Sequence, residues 1–292
     1  MSGSGGLSTG GSTGGVASGG ASSGGAASGG AGSGGGGSGG EGSGGAGGPD
    51  PNFHLFLLIG QSNMAGAPAP ENSDKTENPN ILVLGYNNCQ NLGRTYNEWD
   101  VASPPLHDCY GGVGPGDYFA KTVAAAYPAA KIGLIPCAIP GVDIDFFRKN
   151  VVSSRRGEFQ IPPDNHWDGA YDWVMERAQL AQQEGVIRGI LFHQGESNPG
   201  QSDWPGKVKE IVTDLRADLN LGNVPFLAGE LLHSCQCSNH NPLIAQLPGM
   251  IEEAYVISAS GLAAQDQFHF NLAAQRTFGQ RYAETFLEVF DP

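Results

Sequence analysis

FHLFLLIGQSNMAG, residues Phe53 to Gly66, is the stretch on which the reading of this chain turns. Phe53 to Ile59 is a nearly unbroken apolar run, the pattern of a strand buried on both faces of a sheet. Gly60 ends the run and permits a sharp turn at little steric cost. Ser62 then stands at the rim of the sheet, near the start of a following helix, where backbone N–H groups can face a developing oxyanion. Taken alone, a strand followed by Gly-x-Ser is a weak signal, and a serine capping a helix is the plainer account of it.

Working outward, apolar runs recur at Ile81–Leu84, Lys131–Cys137, Val186–Phe192, Val224–Ala228 and Tyr255–Ser258. Between and after them lie segments with apolar residues at three- and four-residue spacing: Gly116–Tyr127, Trp167–Glu184, Trp204–Leu219, Pro242–Glu253 and Asn271–Phe290. Buried strands alternating with helices predict a three-layer α/β/α sandwich around a central parallel sheet of about five strands, with chemistry beyond the carboxyl ends of those strands. Residues 1–49 are almost wholly Gly, Ser, Ala and Thr and offer no apolar periodicity, so we expect a disordered tether ahead of one domain over residues 50–292.

The chain of 292 residues carries 29 acidic against 15 basic residues, a net charge of −14. With no Lys/Arg cluster, it repels phosphate backbones and anionic lipid, so nucleic acid and membrane insertion are excluded as expected partners. No apolar run is long enough to span a bilayer. A long Gly/Ser tether in front of a domain suits an exported or surface-anchored protein, and we expect that localisation, with a signal or anchor segment upstream of this chain. Of five cysteines, Cys137 ends a strand and reads as a buried free thiol. Cys89, Cys109, Cys235 and Cys237 admit three pairings that sequence does not decide, though export favours disulfides, with Cys89 to Cys109 the first to consider.

The segments after the strands carry the chemistry. Ala138-Ile139-Pro140-Gly141 brings a bare glycine N–H to the same rim as Ser62, although a simple turn glycine accounts for it equally. His193-Gln194-Gly195-Glu196-Ser197-Asn198 is polar immediately after an apolar strand and belongs at a functional rim or in a polar loop. Asp266-Gln267-Phe268-His269 places a carboxylate three residues before an imidazole, close enough to accept from it, fix its tautomer and stabilise its cation. A surface Asp/His pair is the plainer account of that motif alone. Four such signals at successive strand ends are worth more together than apart.

These stretches also carry a resemblance. LLIGQSNMAG, GPGDYFAKTVAAAYPAAKIGLIPCAIPG, RGILFHQGES and DQFHFNLAAQRTFGQRYA, in this order, resemble SGNH hydrolases of the sialate O-acetylesterase-like group, which includes the family 6 carbohydrate esterases. The resemblance spans residues 53 to 290 and implies an SGNH/flavodoxin-like fold and a serine esterase without cofactor or metal. It implies Ser62 as nucleophile, His269 as general base and acid, and Asp266 orienting it. The oxyanion donors would be the N–H groups of Ser62 and Gly141 and the side-chain amide of Gln194, with Glu196 supporting the loop. Pro140 departs from the Gly-Gly usual in relatives and removes a possible donor. The implied substrate is an acetylated carbohydrate, xylan first and O-acetylated sialic acid or another small ester second, acted on by a monomer. A non-catalytic carbohydrate-binding protein on the same fold is the rival from another class, and the joint presence of Ser62, Asp266 and His269 argues against it.

Three further features carry less. His233, Cys235, Cys237 and His240 offer four potential ligands, but the Cys-x-Cys spacing is tighter than zinc sites use, and a disulfide or free thiols are expected. Trp99, Tyr110, Phe146, Phe147, Trp167 and Trp204 are aromatics in or beside loops; some could line a sugar subsite, but most such residues are ordinary packing, and none is assigned a binding role. Arg155-Arg156 reads as a solvated charge pair.

Overall fold

The computed structural model describes residues 48–290; the tether expected over residues 1–49 falls, but for its last two residues, outside them. The run that opens the sequence forms β1 (Phe53–Gly60), buried along its whole length. The other strands are β2 (Ile81–Leu84), β3 (Trp99–Val101), β4 (Lys131–Ala138), β5 (Val186–His193), β6 (Phe226–Gly229) and β7 (Ala254–Ile257). They form one sheet in the order β3-β2-β4-β1-β5-β6-β7. Every pairing is parallel except that of β3 with β2. The sheet therefore has seven strands rather than about five. The antiparallel edge strand β3 is three half-buried residues, too short to show alternation in sequence.

The helices are α1 (Ser62–Ala65), α2 (Pro115–Ala126), α3 (Ala170–Ala181), α4 (Trp204–Asp218), α5 (Asn241–Ile244) and α6 (Leu272–Val289). Side chains alternate across a strand, and β1 shows why it is apolar throughout. Phe56 meets Phe119 of α2 and Phe286 of α6 edge-on, at 4.8 and 5.0 Å between ring centroids. Ile59 faces the other way, toward Tyr171 and Val174 of α3 and Ile211 and Leu215 of α4. Helices thus cover both faces. Where one helix was expected over Pro242–Glu253, α5 and a 3₁₀ turn at Leu247–Gly249 stand instead. Pro248 has no N–H to give to an α-helix and disfavours helical geometry at Leu247. Among the described residues, no helix is long and apolar enough to cross a membrane.

Being central, β1 runs its carboxyl end between those of β4 and β5: Gly60 is level with Ala138 and with His193. Three of the segments singled out in the sequence therefore emerge side by side.

Candidate active site

Gly60 is required by crowding. Its φ is +149°, and a Cβ there would stand 2.0 Å from the His193 carbonyl oxygen. That oxygen instead accepts the Gln61 N–H at 3.0 Å, which turns the chain into α1 with Ser62 as its first residue. Ser62 is half-buried. As the first residue of a helix its N–H has no intrahelical acceptor.

The strand-to-helix segment near the C-terminus brings the base. Gln265 N–H donates to the His269 carbonyl and Asn271 N–H to that of Ala263, both at 2.9 Å, folding the segment back on itself. Asn271 then caps α6 through the Ala274 N–H. In this loop His269 Nε2 lies 3.0 Å from Ser62 Oγ. Its Nδ1 lies 2.8 Å from Asp266 Oδ2 and 3.0 Å from Oδ1. The Phe268 N–H, donating to Asp266 Oδ1 at 2.8 Å, and the hydrogen bonds from His269 hold the Asp266 carboxyl down at about 2. It is ionised at any pH at which a neutral imidazole exists, so the Nδ1–H tautomer is favoured and Nε2 is left as the lone-pair acceptor for the serine proton.

Gly141 sits in a tight turn between β4 and the 3₁₀ segment Ile144–Phe147. Val142 N–H reaches back to the Ile139 carbonyl at 3.5 Å, and Gly141 has φ +79°. Proline then occupies the second turn position and a positive-φ glycine the third, the pattern of a type II turn. The Ile139 N–H donates to the Gly60 carbonyl at 3.0 Å, tying this turn to the end of β1. The Gly141 carbonyl is held from the far side by Ser197 Oγ at 2.8 Å and Arg155 Nη1 at 3.2 Å.

Gln194, expected as an oxyanion donor, has its side-chain amide engaged elsewhere. It is buried; its Nε2 donates to the Val142 carbonyl at 3.2 Å and to Asn198 Oδ1, and its Oε1 accepts from Trp204 Nε1 at 2.6 Å. Both amide hydrogens are used, so none is left for an oxyanion. Gln194 instead braces the segment that follows Gly141.

Glu196 has a side chain only 5% exposed, with Oε1 accepting from Asn63 Nδ2 at 2.7 Å and lying 3.5 Å from His193 Nδ1. Asn63 was not singled out in the sequence, yet it joins three segments. Its Nδ2 also donates to the Phe268 carbonyl at 3.0 Å, and its Oδ1 accepts the Phe270 N–H at 3.2 Å. The residue after Ser62 thus grips the backbone on either side of His269. Its place in GQSN was the available signal: a buried amide beside a reactive serine must have partners.

Arg155 and Arg156 are not a solvated pair. Arg155 reaches Gly141 and makes two bonds to Glu158, while Arg156 binds the carbonyls of Phe159 and Trp167 and the Asn165 side chain. Together they shape the loop over the Gly141 turn. Of the cysteines, Cys89 is joined to Cys109 and Cys235 to Cys237, while Cys137 is free and buried. The four candidate ligands at 233–240 do not converge on one site. The two sulfurs hold each other, His233 bonds Glu230 at 2.8 Å, and His240 is buried edge-on to Trp204, which pushes its imidazole down to about 4.

Comparison with known proteins follows the same contours. The family model described as carbohydrate esterase, sialic acid-specific acetylesterase matches residues 52–288. A probable carbohydrate esterase of Arabidopsis thaliana is 26% identical over 262 residues, which cover 83% of this chain and 93% of that one. The X-ray structure of an Arabidopsis thaliana protein is similar at a TM-score of 0.67 and 25% identity, covering 83% of this chain and all (100%) of that one. NanS is similar in fold, with a TM-score of 0.63 at 17% identity over 82% of this chain and 98% of its own. A carbohydrate acetylesterase from Xanthomonas citri has a TM-score of 0.58 at 16% identity, over 78% of this chain and 55% of its own.

Proposed function

Because the chain belongs to the family of carbohydrate esterases described as sialic acid-specific acetylesterases, we propose that it removes O-acetyl groups from a carbohydrate through an acyl-enzyme on Ser62. The observation that carries this reading is the line from Ser62 Oγ to His269 Nε2 at 3.0 Å and from His269 Nδ1 to Asp266 at 2.8 Å.

Ser62 Oγ attacks the acetyl carbonyl carbon as its proton passes to His269 Nε2, and the imidazolium is stabilised by the Asp266 carboxylate. The carbonyl oxygen becomes an oxyanion. The N–H groups of Ser62 and Gly141, both at the carboxyl edge of the sheet, are its donors. Gln194 acts through the Gly141 turn rather than on the oxyanion. The sugar hydroxyl leaves with the proton from His269. Water, deprotonated by the same imidazole, then splits the acetyl-Ser62 ester and releases acetate.

Acetylated xylan is the first candidate substrate and O-acetylated sialic acid, which the family's description suggests, the second. No metal or cofactor enters this scheme. The disulfide Cys89–Cys109 supports an extracellular or surface-anchored setting, where thiols oxidise, and we take the protein to act as a monomer.

The test is acetate release from acetylated xylan, O-acetylated sialic acid and 4-nitrophenyl acetate by wild type and Ser62→Ala. Wild type should cleave at least one sugar ester, and the variant should lose on the order of 10³-fold or more in kcat. A folded Ser62→Ala protein retaining most of the activity would overturn the proposal.

A further inference from the structure

A cavity of about 270 Å³ opens beside the nucleophile helix. One wall is Ala65 and Gly66, at the end of α1; another is Ile139 and Pro140, at the start of the Gly141 turn. Both walls belong to the segments that carry Ser62 and Gly141, so an ester held at Ser62 has this space next to it. The far side is polar: Asn87, Asp108 and Gln160 line it together with Tyr110.

Tyr110 is the anomaly. It is 87% exposed, the most exposed of the three large hydrophobic residues that stand out from the described surface. The neighbouring residue is fixed, however. Cys109 is bonded to Cys89, and its carbonyl accepts from Asn91 Nδ2 at 2.8 Å. An aromatic ring displayed in water from a cross-linked loop is a platform for the C–H face of a sugar ring. Amide and carboxylate groups beside it suit the hydroxyls around the ring's edge. Phe268, 44% exposed and adjacent to His269, is a second such face on the triad loop.

Charge decides which sugar. Among the described residues that line the cavity there is no lysine or arginine, and Asp108 supplies a carboxylate. His107, also on the wall, is 2% exposed, near the Leu58 and Ala65 backbone but with neither ring nitrogen in a hydrogen bond. Burial, reinforced by Arg177, pushes its imidazole down to about 3, so it is neutral there. Arg177 is fully buried, donating to the carbonyls of Leu84 and Gly85 and to Asn97. Arg155, the cation at the Gly141 turn, is paired with Glu158. An anionic sugar would bring its carboxylate to an acidic wall with no free cation to receive it.

We propose that this cavity is the subsite for the sugar that bears the scissile acetyl, and that it takes an uncharged pyranose in preference to a sialic acid, with Tyr110 as stacking face and Asp108 as the group that discriminates. The assignment rests on the reading of Ser62 as the nucleophile, and the experiment separates the two. Binding of unacetylated xylotetraose and of N-acetylneuraminic acid to the full chain is measured by calorimetry, and hydrolysis of acetylated xylotetraose and 4-nitrophenyl acetate is followed in parallel. Xylotetraose should bind at least about tenfold more tightly than N-acetylneuraminic acid. Tyr110→Ala should keep the wild-type Tm, weaken xylotetraose about tenfold, and lower by a similar factor the ratio of kcat/KM on the acetylated sugar to that on the small ester. Asp108→Asn should narrow the gap between the two sugars; asparagine suits the positive φ of 53° at this position. Tighter binding of N-acetylneuraminic acid, or sugar binding indifferent to Tyr110→Ala, would overturn the subsite. Tyr110-dependent sugar binding in a protein that cleaves no ester would uphold the subsite and overturn the catalytic reading.

Discussion

Asn63 Nδ2 donates to Glu196 Oε1 at 2.7 Å, joining the turn after β1 to the turn after β5, and the same nitrogen holds the Phe268 carbonyl at 3.0 Å. The distance between Ser62 and His269 is therefore set from one buried amide rather than by the two loops separately. Asn63→Ala removes these bonds and the acceptor of the Phe270 N–H. Leaving buried partners unpaired costs about 1–3 kcal/mol, which in a domain of this size lowers Tm by roughly 2–12 °C. A loosened serine–imidazole geometry should lower kcat by about 10- to 100-fold, with a smaller change in KM. Thermal unfolding and initial rates on 4-nitrophenyl acetate check both. A variant that lost stability but kept kcat would show that Asn63 serves the fold alone.

Asp266 is a surface carboxylate with a side chain 48% exposed, yet it receives His269 Nδ1 and two backbone N–H groups. Asp266→Asn can keep the backbone bonds through its oxygen, but its NH₂ cannot accept from Nδ1–H. The imidazole then favours the tautomer that blocks Nε2. Expected is a fall in kcat on the order of 10²–10⁴, with Tm close to that of wild type because the loop's backbone bonds survive. Since the wild-type carboxyl is held down at about 2, it stays ionised on mild acidification, so the variant differs from wild type in the partner offered to Nδ1 across that range. A variant losing less than threefold in kcat would remove Asp266 from the mechanism.

Asp117 makes a pH-dependent contribution away from the site. It is 4% exposed near the start of α2, where its Oδ2 accepts the Gly114 N–H at 3.3 Å. Burial pushes its carboxyl up to about 7, against an ordinary 3.8. Below about pH 4 both folded and unfolded chains hold the proton. Between about 4 and 7 only the folded chain holds it, so the unfolded state is increasingly favoured as pH rises, and above about 7 that loss is complete. Asp117→Asn keeps an acceptor for Gly114 and does not titrate. Its stability relative to wild type should therefore rise from about pH 4.5 to about pH 7.5, read from urea midpoints at the two values. A difference that stayed constant across that range would refute the raised pKa.

What was legible in the sequence follows from how local each cause is. β1 and its serine could be read because burial on both faces writes itself into consecutive residues, and because Gly60 marks the crowding by His193. The Asp266–His269 pair is three residues apart and closes on itself. Gln194 lies at the expected rim, but its amide is spent on partners the string does not show. Its string shows a polar turn, but the acceptor that uses its amide, Val142, lies 52 residues away, and Trp204 was hidden among loop aromatics. Arg155 was passed over for the same reason: its carbonyl partner Gly141 is 14 residues distant, and nothing in a dibasic loop foretells it. Tyr110 stood in the sequence among six loop aromatics, any of which could pack or line a sugar subsite, and only the structure singles it out, with its ring standing in solvent.

Pro140 is where this chain departs from the pattern expected of its relatives, and the turn geometry gives that departure a reason. With Gly141 at φ +79° and Val142 N–H directed to Ile139, proline occupies the position where its fixed φ is already correct. It is exposed, so its contribution is stiffness rather than packing. Replacing it releases conformational entropy in the unfolded chain worth about 0.4–1 kcal/mol. If the turn works by holding the Gly141 N–H in place, Pro140→Ala and Pro140→Gly should each lower kcat severalfold, glycine more than alanine because it frees more of the backbone. If position 140 instead wants a donor, both variants restore an N–H and kcat should rise. Gly141→Ala is the companion: a Cβ would meet the Phe159 ring at 3.1 Å and the positive φ would be strained, so kcat should fall by up to about 10²- to 10³-fold, the cost of losing an oxyanion donor. Steady-state rates on 4-nitrophenyl acetate for the three variants decide between a stiff turn and a missing donor. A rise in kcat for Pro140→Gly would show that the proline limits the oxyanion site.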